Sequence, residues 1–165
     1  MLALGSNLGD RRAYLRQGLE ALGEHVTIGL VSRVVESPPW GPVSQPSFLN
    51  LVLSGTTSLA PHDLLDRMQR VESEAGRTRE LAQGPRTLDV DLIFYDDLRL
   101  EGPRLTLPHP SWRERPFVAD LLGDLGISDP DSGRPFEPAS EAALEARGLR
   151  VVQKSDPAPV RGVPC

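Results

Sequence analysis

Hydrophobic positions along this chain recur with two periods. Leu15, Leu19 and Leu22 fall at i, i+4 and i+7 behind Asp10, which predicts a helix running to about Leu22 and stopping at Gly23. Leu64, Met68, Val71 and Ala75 keep helical spacing between Pro61 and Gly76 and predict a second helix. Strand-like runs surround them: Leu2 to Leu4, cut off at Gly5-Ser6-Asn7; Val26 to Glu36, rich in β-branched residues; Phe48 to Thr57; and Leu88 to Tyr95. In the third, Leu49, Leu51 and Leu53 alternate with Phe48, Asn50 and Val52. Asp96-Asp97 reads as a turn to a hairpin partner at Leu98 to Leu100. Helical patterns at Phe117 to Leu125 and Ala139 to Arg147 follow, then an aperiodic, proline-bearing end from Ser155.

The order β-α-β-β-α-β predicts an α+β fold. It is the ferredoxin-like split pattern, a mainly antiparallel sheet with helices, extended here by a hairpin and C-terminal helices. No internal repeat is present. One domain is expected over residues 1–150, and a poorly ordered tail over 151–165.

Composition narrows the class. At 165 residues with 39% apolar and 25% charged residues, the chain can build one core and is too apolar for disorder. No apolar run reaches membrane-spanning length and no signal segment opens the chain, so a cytoplasmic, membrane-free domain is expected. The single cysteine, Cys165, excludes an intrachain disulfide. A net charge of −5 argues against nucleic acid as a partner. Lys154 is the only lysine, so a Walker A loop and a kinase-type lysine in the main body are excluded. Any phosphate chemistry must rest on arginine and metal.

Asp89-Val90-Asp91 carries the most chemistry. On a strand the two carboxylates share a face and repel, while Leu88, Val90 and Leu92 turn to the core. A solvated strand face would explain the pair; a divalent cation with oxygen ligands would also explain it, and would remove the repulsion. Arg86 stands three residues ahead, with Arg77 and Arg79 at the other end of the same loop, a set suited to a polyphosphate or to a plain solvated basic loop. Gln69 and Glu72 form a polar stripe beside the core stripe of their helix, either simple surface or within reach of a ligand. Asn50 sits among apolar neighbours and needs partners, for which a heterocycle edge is one candidate. Phe48 and Phe117 offer ring faces, and His109 lies in a turn-rich setting.

Five motifs occur in order: Gly5-Ser6-Asn7-Leu8, Ser37-x-Pro39-x-Gly41, Gln45-Pro46-x-Phe48-Leu49-Asn50, Gly84-Pro85-Arg86-Thr87-Leu88-Asp89-Val90-Asp91 and Leu107-Pro108-His109-Pro110. Together they resemble the 6-hydroxymethyl-7,8-dihydropterin pyrophosphokinases of folate biosynthesis, from Leu2 to about Leu125. The resemblance implies Mg²⁺-dependent transfer of the β,γ-diphosphate of ATP to the pterin hydroxymethyl oxygen, releasing AMP. It implies Asp89 and Asp91 as ligands of two magnesium ions, with Arg77 and Arg86 beside them in catalysis. It places Ser37, Pro38, Trp40, Phe48, Asn50 and Phe117 at the pterin. It places Gln69, Glu72, Arg77, Arg79, Arg86, Thr106, His109 and Arg115 at ATP. A monomer acting on small molecules is expected.

Two departures from the pattern stand out. The loop before Gly84 reads Leu81-Ala82-Gln83, one residue short and without the family's usual basic residue or tryptophan. The first strand begins three or four residues late relative to the pattern, which places the expected start upstream of Met1. The residues taken alone leave two other classes open: another metal-dependent nucleotidyl- or glycosyltransferase using the Asp pair, and a non-catalytic ferredoxin-like binding module. Formation of AMP with a pterin acceptor separates all three.

Overall fold

The computed structural model describes residues 1–39, 44–77 and 84–153. Trp40, Arg79 and the Leu81-Ala82-Gln83 departure therefore lie outside the described residues, as do residues 154–165 of the expected tail. The described elements are β1 (Leu2–Ser6), α1 (Arg11–Leu22), β2 (Thr27–Val31), β3 (Val34–Ser37), β4 (Phe48–Thr56), α2 (Pro61–Glu74), β5 (Asp89–Leu92), α3 (Pro116–Asp124), α4 (Glu141–Glu145) and β6 (Arg150–Gln153).

Both predicted ferredoxin helices form for the reasons their sequences suggest. Asp10 accepts a hydrogen bond from the Ala13 N–H at 3.0 Å, a cap worth about 1 kcal/mol. Pro61 opens α2 where no N–H is needed. Leu64, Met68, Val71 and Ala75 are buried and pack with Leu15 and Leu22 on Leu4, Leu51, Leu53 and Leu88 of the sheet side. Met68 is fully buried, and a side chain of that size contributes about 1.5–3 kcal/mol on leaving water.

The sheet runs β5-β1-β4-β3-β6, with β2 also pairing to β4, and its pairings are antiparallel. Each of α1 and α2 crosses over one intervening strand, which is the split βαββαβ connection that was predicted. The opposite face of the sheet is covered as well. Ala3, Val35 and Val52 form a second core with Val118, Leu121 and Leu122 of α3 and with Leu144 of α4. The alternation along β4 thus separates two cores, not core from solvent. Among the described residues no helix is long and apolar enough to cross a membrane.

Three expectations need correction. The run Val26 to Glu36 is two strands, because Ser32 takes over the ladder: its Oγ accepts from Val52 N–H at 2.9 Å while Arg33 turns away to Asp124. Leu88 to Tyr95 does not form one long strand, and Leu98 to Leu100 is not its hairpin partner. β5 ends at Leu92, Ile93 N–H bonds the Met1 carbonyl at 2.9 Å, and Leu100 instead bridges to Leu107. Residues 151–153, assigned to the tail, belong to β6, which pairs with β3 through Val35–Val151 and Glu36–Arg150.

Candidate active site

Strand register builds the site. Asp89 pairs with Gly5, Gly5 with Asn50, Asn50 with Val35, and Val35 with Val151, so one row crosses the sheet from edge to edge. Directly paired residues point to one face. That row puts Asp89 and Asn50 on the face shared with α3 and α4, away from α1 and α2. Gly5 lies between them, where a Cβ would stand 2.9 Å from Asn50 Oδ1 and 3.5 Å from the Phe48 ring. The missing side chain is what leaves room there.

A cavity of about 290 Å³ occupies this face. It unites residues predicted for two different substrates: Ser37, Pro38, Phe48, Asn50 and Phe117 with Arg86, Asp89 and Arg115. Asn50 is 3% exposed and donates through Nδ2 to Ser37 Oγ at 2.8 Å. The Arg86 guanidinium lies 5.8 Å from the centroid of the Phe48 ring, within cation–π range.

Around the two aspartates the charges are matched. Asp89 Oδ1 pairs with Arg77 Nη1 at 2.5 Å and Arg86 Nη1 at 3.1 Å. Asp91 Oδ2 pairs with Arg115, and its Oδ1 faces His109 Nε2 at 3.8 Å. His109 Nδ1 accepts from the Ser111 N–H at 3.2 Å, so the neutral ring carries its proton on Nε2. Burial would raise the Asp89 carboxyl, but the Arg86, Arg77 and Arg115 charges outweigh it and hold the group below its ordinary range. Burial and the neighbouring Asp89 charge together push Asp91 up against the pull of Arg115. Burial, aided by Arg115, lowers His109.

Glu72 is 4% exposed and serves the site from behind. Its Oε1 accepts from the Val90 N–H at 2.9 Å, covering the free edge of β5, and it also pairs with Arg77. Gln69 is exposed on α2, and Thr106 is half-buried beyond β5; neither lines the cavity.

Several residues at the site were not singled out by their residue type. Asn7, 2% exposed, accepts from the Arg86 N–H at 2.8 Å through Oδ1. Its Nδ2 donates to Gln45 Oε1 and the Pro46 carbonyl at 3.0 and 3.1 Å. Gly5 and Asn7 sit in the first motif, where a Gly-Ser-Asn break after a strand was the available signal. Pro39, Ser111, Arg147 and Leu149 also line the cavity. For the last two no local signal exists, since their place depends on β6 joining β3.

Comparison with known proteins fits this arrangement. The chain is 44% identical over 152 residues to the 2-amino-4-hydroxy-6-hydroxymethyldihydropteridine pyrophosphokinase of Bacillus subtilis (strain 168), covering 91% of this chain and 87% of that protein. It is 42% identical over 134 residues to the protein of the same name from Pseudomonas aeruginosa, covering 78% of this chain and 83% of that one. It is 42% identical over 124 residues to that of Aquifex aeolicus (strain VF5), covering 75% and 78%. The family model for 7,8-dihydro-6-hydroxymethylpterin-pyrophosphokinase matches residues 1–126, the stretch that supplies both aspartates, Asn50 and both ring faces, and the chain belongs to that family.

Proposed function

We propose that this chain transfers the β,γ-diphosphate of ATP to the hydroxymethyl oxygen of 6-hydroxymethyl-7,8-dihydropterin, releasing AMP and the pterin diphosphate, as a step of folate biosynthesis. The observation that carries this reading is one cavity lined both by Asn50, Phe48 and Phe117 and by the ion-paired Arg86 and Asp89. Family membership supports it.

The donor set suits magnesium. Asp89 and Asp91 share one strand face, and no group of three or more metal-ligating side chains forms among the described residues. Two carboxylates with the remaining positions left to phosphate oxygens and water is the usual form of such a site. Two Mg²⁺ ions bound there would polarise the phosphate oxygens and offset their charge. Arg77, Arg86 and Arg115, now paired with carboxylates, supply charge-assisted donors to the polyphosphate. His109 and Ser111 form the wall beside Asp91. Glu72 holds β5 and Arg77 in place, and Gln69, Arg79 and Thr106 serve the rest of the nucleotide.

At the acceptor end, Phe48 and Phe117 sandwich the ring, Asn50 and Ser37 meet its polar edge, Pro38 borders it, and Trp40 serves the same substrate. No covalent nucleophile is needed, since such transfers rely on positioning and charge stabilisation. The reading takes the protein as a cytoplasmic monomer acting on small molecules, with no nucleic acid and no membrane partner. The test is AMP formation from ATP and Mg²⁺ with and without the pterin. AMP that depends on the pterin supports the reading; AMP formed at the same rate without it, or none in either case, overturns it.

A further inference from the structure

Arg115 reaches Asp91 from the end of a short loop that has little structure of its own. Within residues 109–115 the backbone bonds are single turns: Trp112 N–H to the His109 carbonyl at 3.1 Å and Glu114 N–H to the Ser111 carbonyl at 3.2 Å. Arg115 itself is the N-cap of α3, with extended backbone and no side-chain cap. One or two unsupported turns are marginal in water. The aim of Arg115 at Asp91 therefore depends on what grips the loop from outside.

Two neighbouring residues supply that grip. Trp112 is 4% exposed and packs at near right angles to Phe94 and to Phe136, with ring centroids 5.1 and 5.8 Å away. Phe94 lies two residues past β5, the strand of Asp91. Phe136 lies on the return limb of a hairpin beyond residue 126, where the family match ends; its N–H bonds the Ile127 carbonyl at 2.9 Å. The Arg113 guanidinium covers the indole, 4.1 Å from the ring centroid. It also forks onto the tip of the same hairpin: Nη1 donates to Asp129 Oδ2 at 2.7 Å, and Nη2 to Asp129 Oδ1 at 3.0 Å and Asp131 Oδ2 at 2.6 Å. A bidentate pair of this kind fixes orientation as well as distance.

The anchor is itself held. Asp129 Oδ1 accepts from the Asp131 and Ser132 N–H groups at 2.8 and 3.1 Å, and the Asp129 carbonyl accepts from Gly133 N–H at 2.8 Å. Arg113 is half-exposed, and exposed ion pairs contribute little to stability. What this fork controls is the place of residue 113, two positions before Arg115.

We propose that Arg113 is a positioning residue for the transfer: forked onto Asp129 and stacked on Trp112, it holds the loop so that Arg115 keeps its place at Asp91. This rests on the pyrophosphokinase reading above. It ties the hairpin tip to the nucleotide end of the site, although no residue of 129–133 lines the cavity.

The experiment compares the full chain with Arg113→Ala, Arg113→Lys and Asp129→Asn. Asp129→Asn keeps an oxygen for the two turn N–H groups and removes only the charge that Arg113 grips. Rates of AMP formation give kcat and both KM values, titration with a non-hydrolysable ATP analogue and Mg²⁺ gives a Kd without turnover, and melts give Tm. In Arg113→Ala and Asp129→Asn the analogue Kd and the KM for ATP should rise about fivefold or more, while the acceptor KM stays within about twofold, as for a charged hydrogen bond weakened at one substrate. Arg113→Lys should recover part of the loss. Adding Arg113→Ala to Arg115→Gln should cost less than about twofold further, because the residue it positions is already gone. A lower Tm with parent-like Kd and KM values would show a merely structural clamp and overturn the proposal. Equal rises for both substrates overturn it as well, as does full additivity with Arg115→Gln. A parent chain that makes no AMP overturns the pyrophosphokinase reading and this proposal together, whereas an active parent with unaffected variants overturns this proposal alone.

Discussion

Asn7 and Arg86 grip each other twice: Asn7 N–H donates to the Arg86 carbonyl at 3.2 Å, and Asn7 Oδ1 accepts from the Arg86 N–H at 2.8 Å. The same side chain holds the 45–46 segment through Nδ2. One buried amide thus fastens the loop before β5 to the loop before β4, and so sets Arg86 relative to Phe48. Asn7→Ala should orphan several of these groups, each worth about 1–3 kcal/mol when buried. Thermal melts should show a clear loss of stability, and kcat should fall because Arg86 is no longer held. A variant with parent-like Tm and kcat would show that the clamp is dispensable.

Gly5 makes a second prediction. A Cβ there meets Asn50 Oδ1 at 2.9 Å, closer than real contacts allow, and Asn50 is held from the other side by Ser37. Gly5→Ala should therefore displace the amide proposed to meet the heterocycle. The acceptor KM should rise by about tenfold while the KM for ATP changes little. Equal rises for both substrates would place the damage elsewhere.

Much of this was readable locally. The stripes of α1 and α2 and the alternation along β4 depend on residues within a few positions of one another, so periodicity finds them. Asp89 and Asp91 were legible because a strand puts i and i+2 on one face. Ser32 was not, since its hydroxyl replaces a ladder partner only where Arg33 is drawn to Asp124, 91 positions away. β6 is a short run whose partner β3 lies more than a hundred residues earlier. Gly5 faces Asn50 and Arg147 pairs with Asp120, and no spacing along the chain states either contact.

Glu36 links the sheet edge to pH. Hydrogen bonds from Arg11 and Arg150 hold its carboxyl below the ordinary value of 4.5. A lowered carboxyl contributes stability that is complete above its unfolded value and is lost as pH falls through the folded one. Glu36→Gln should have the lower Tm at pH 7, and the gap to the parent should narrow as pH falls below 4.5 and through the lowered folded value. A gap that is constant across this range would mean that the ion pairs contribute nothing measurable.

The two site aspartates should part company in stability while agreeing in activity. Removing either carboxylate takes away half of the anionic face proposed for magnesium, so Asp89→Asn and Asp91→Asn should each lower AMP formation about 100-fold or more. Their folded-state ionisation runs in opposite directions. Asp89 is held low by Arg86, Arg77 and Arg115 against its burial, so its charge supports the fold at neutral pH and is lost as a support only on acidification. Asp91 is pushed up by burial and by Asp89, so ionising it opposes the fold, increasingly as pH rises from 3.8 through its raised value. In metal-free protein at pH 7, Asp89→Asn should therefore lower Tm and Asp91→Asn should raise it. The Asp91→Asn gain should vanish near pH 3, where the parent carboxyl is protonated in both states. Melts of both variants at the two pH values decide the matter. A loss of Tm for Asp91→Asn at pH 7 would mean that pairing with Arg115 outweighs burial and the Asp89 charge, and that the Asp91 carboxyl lies below its ordinary value.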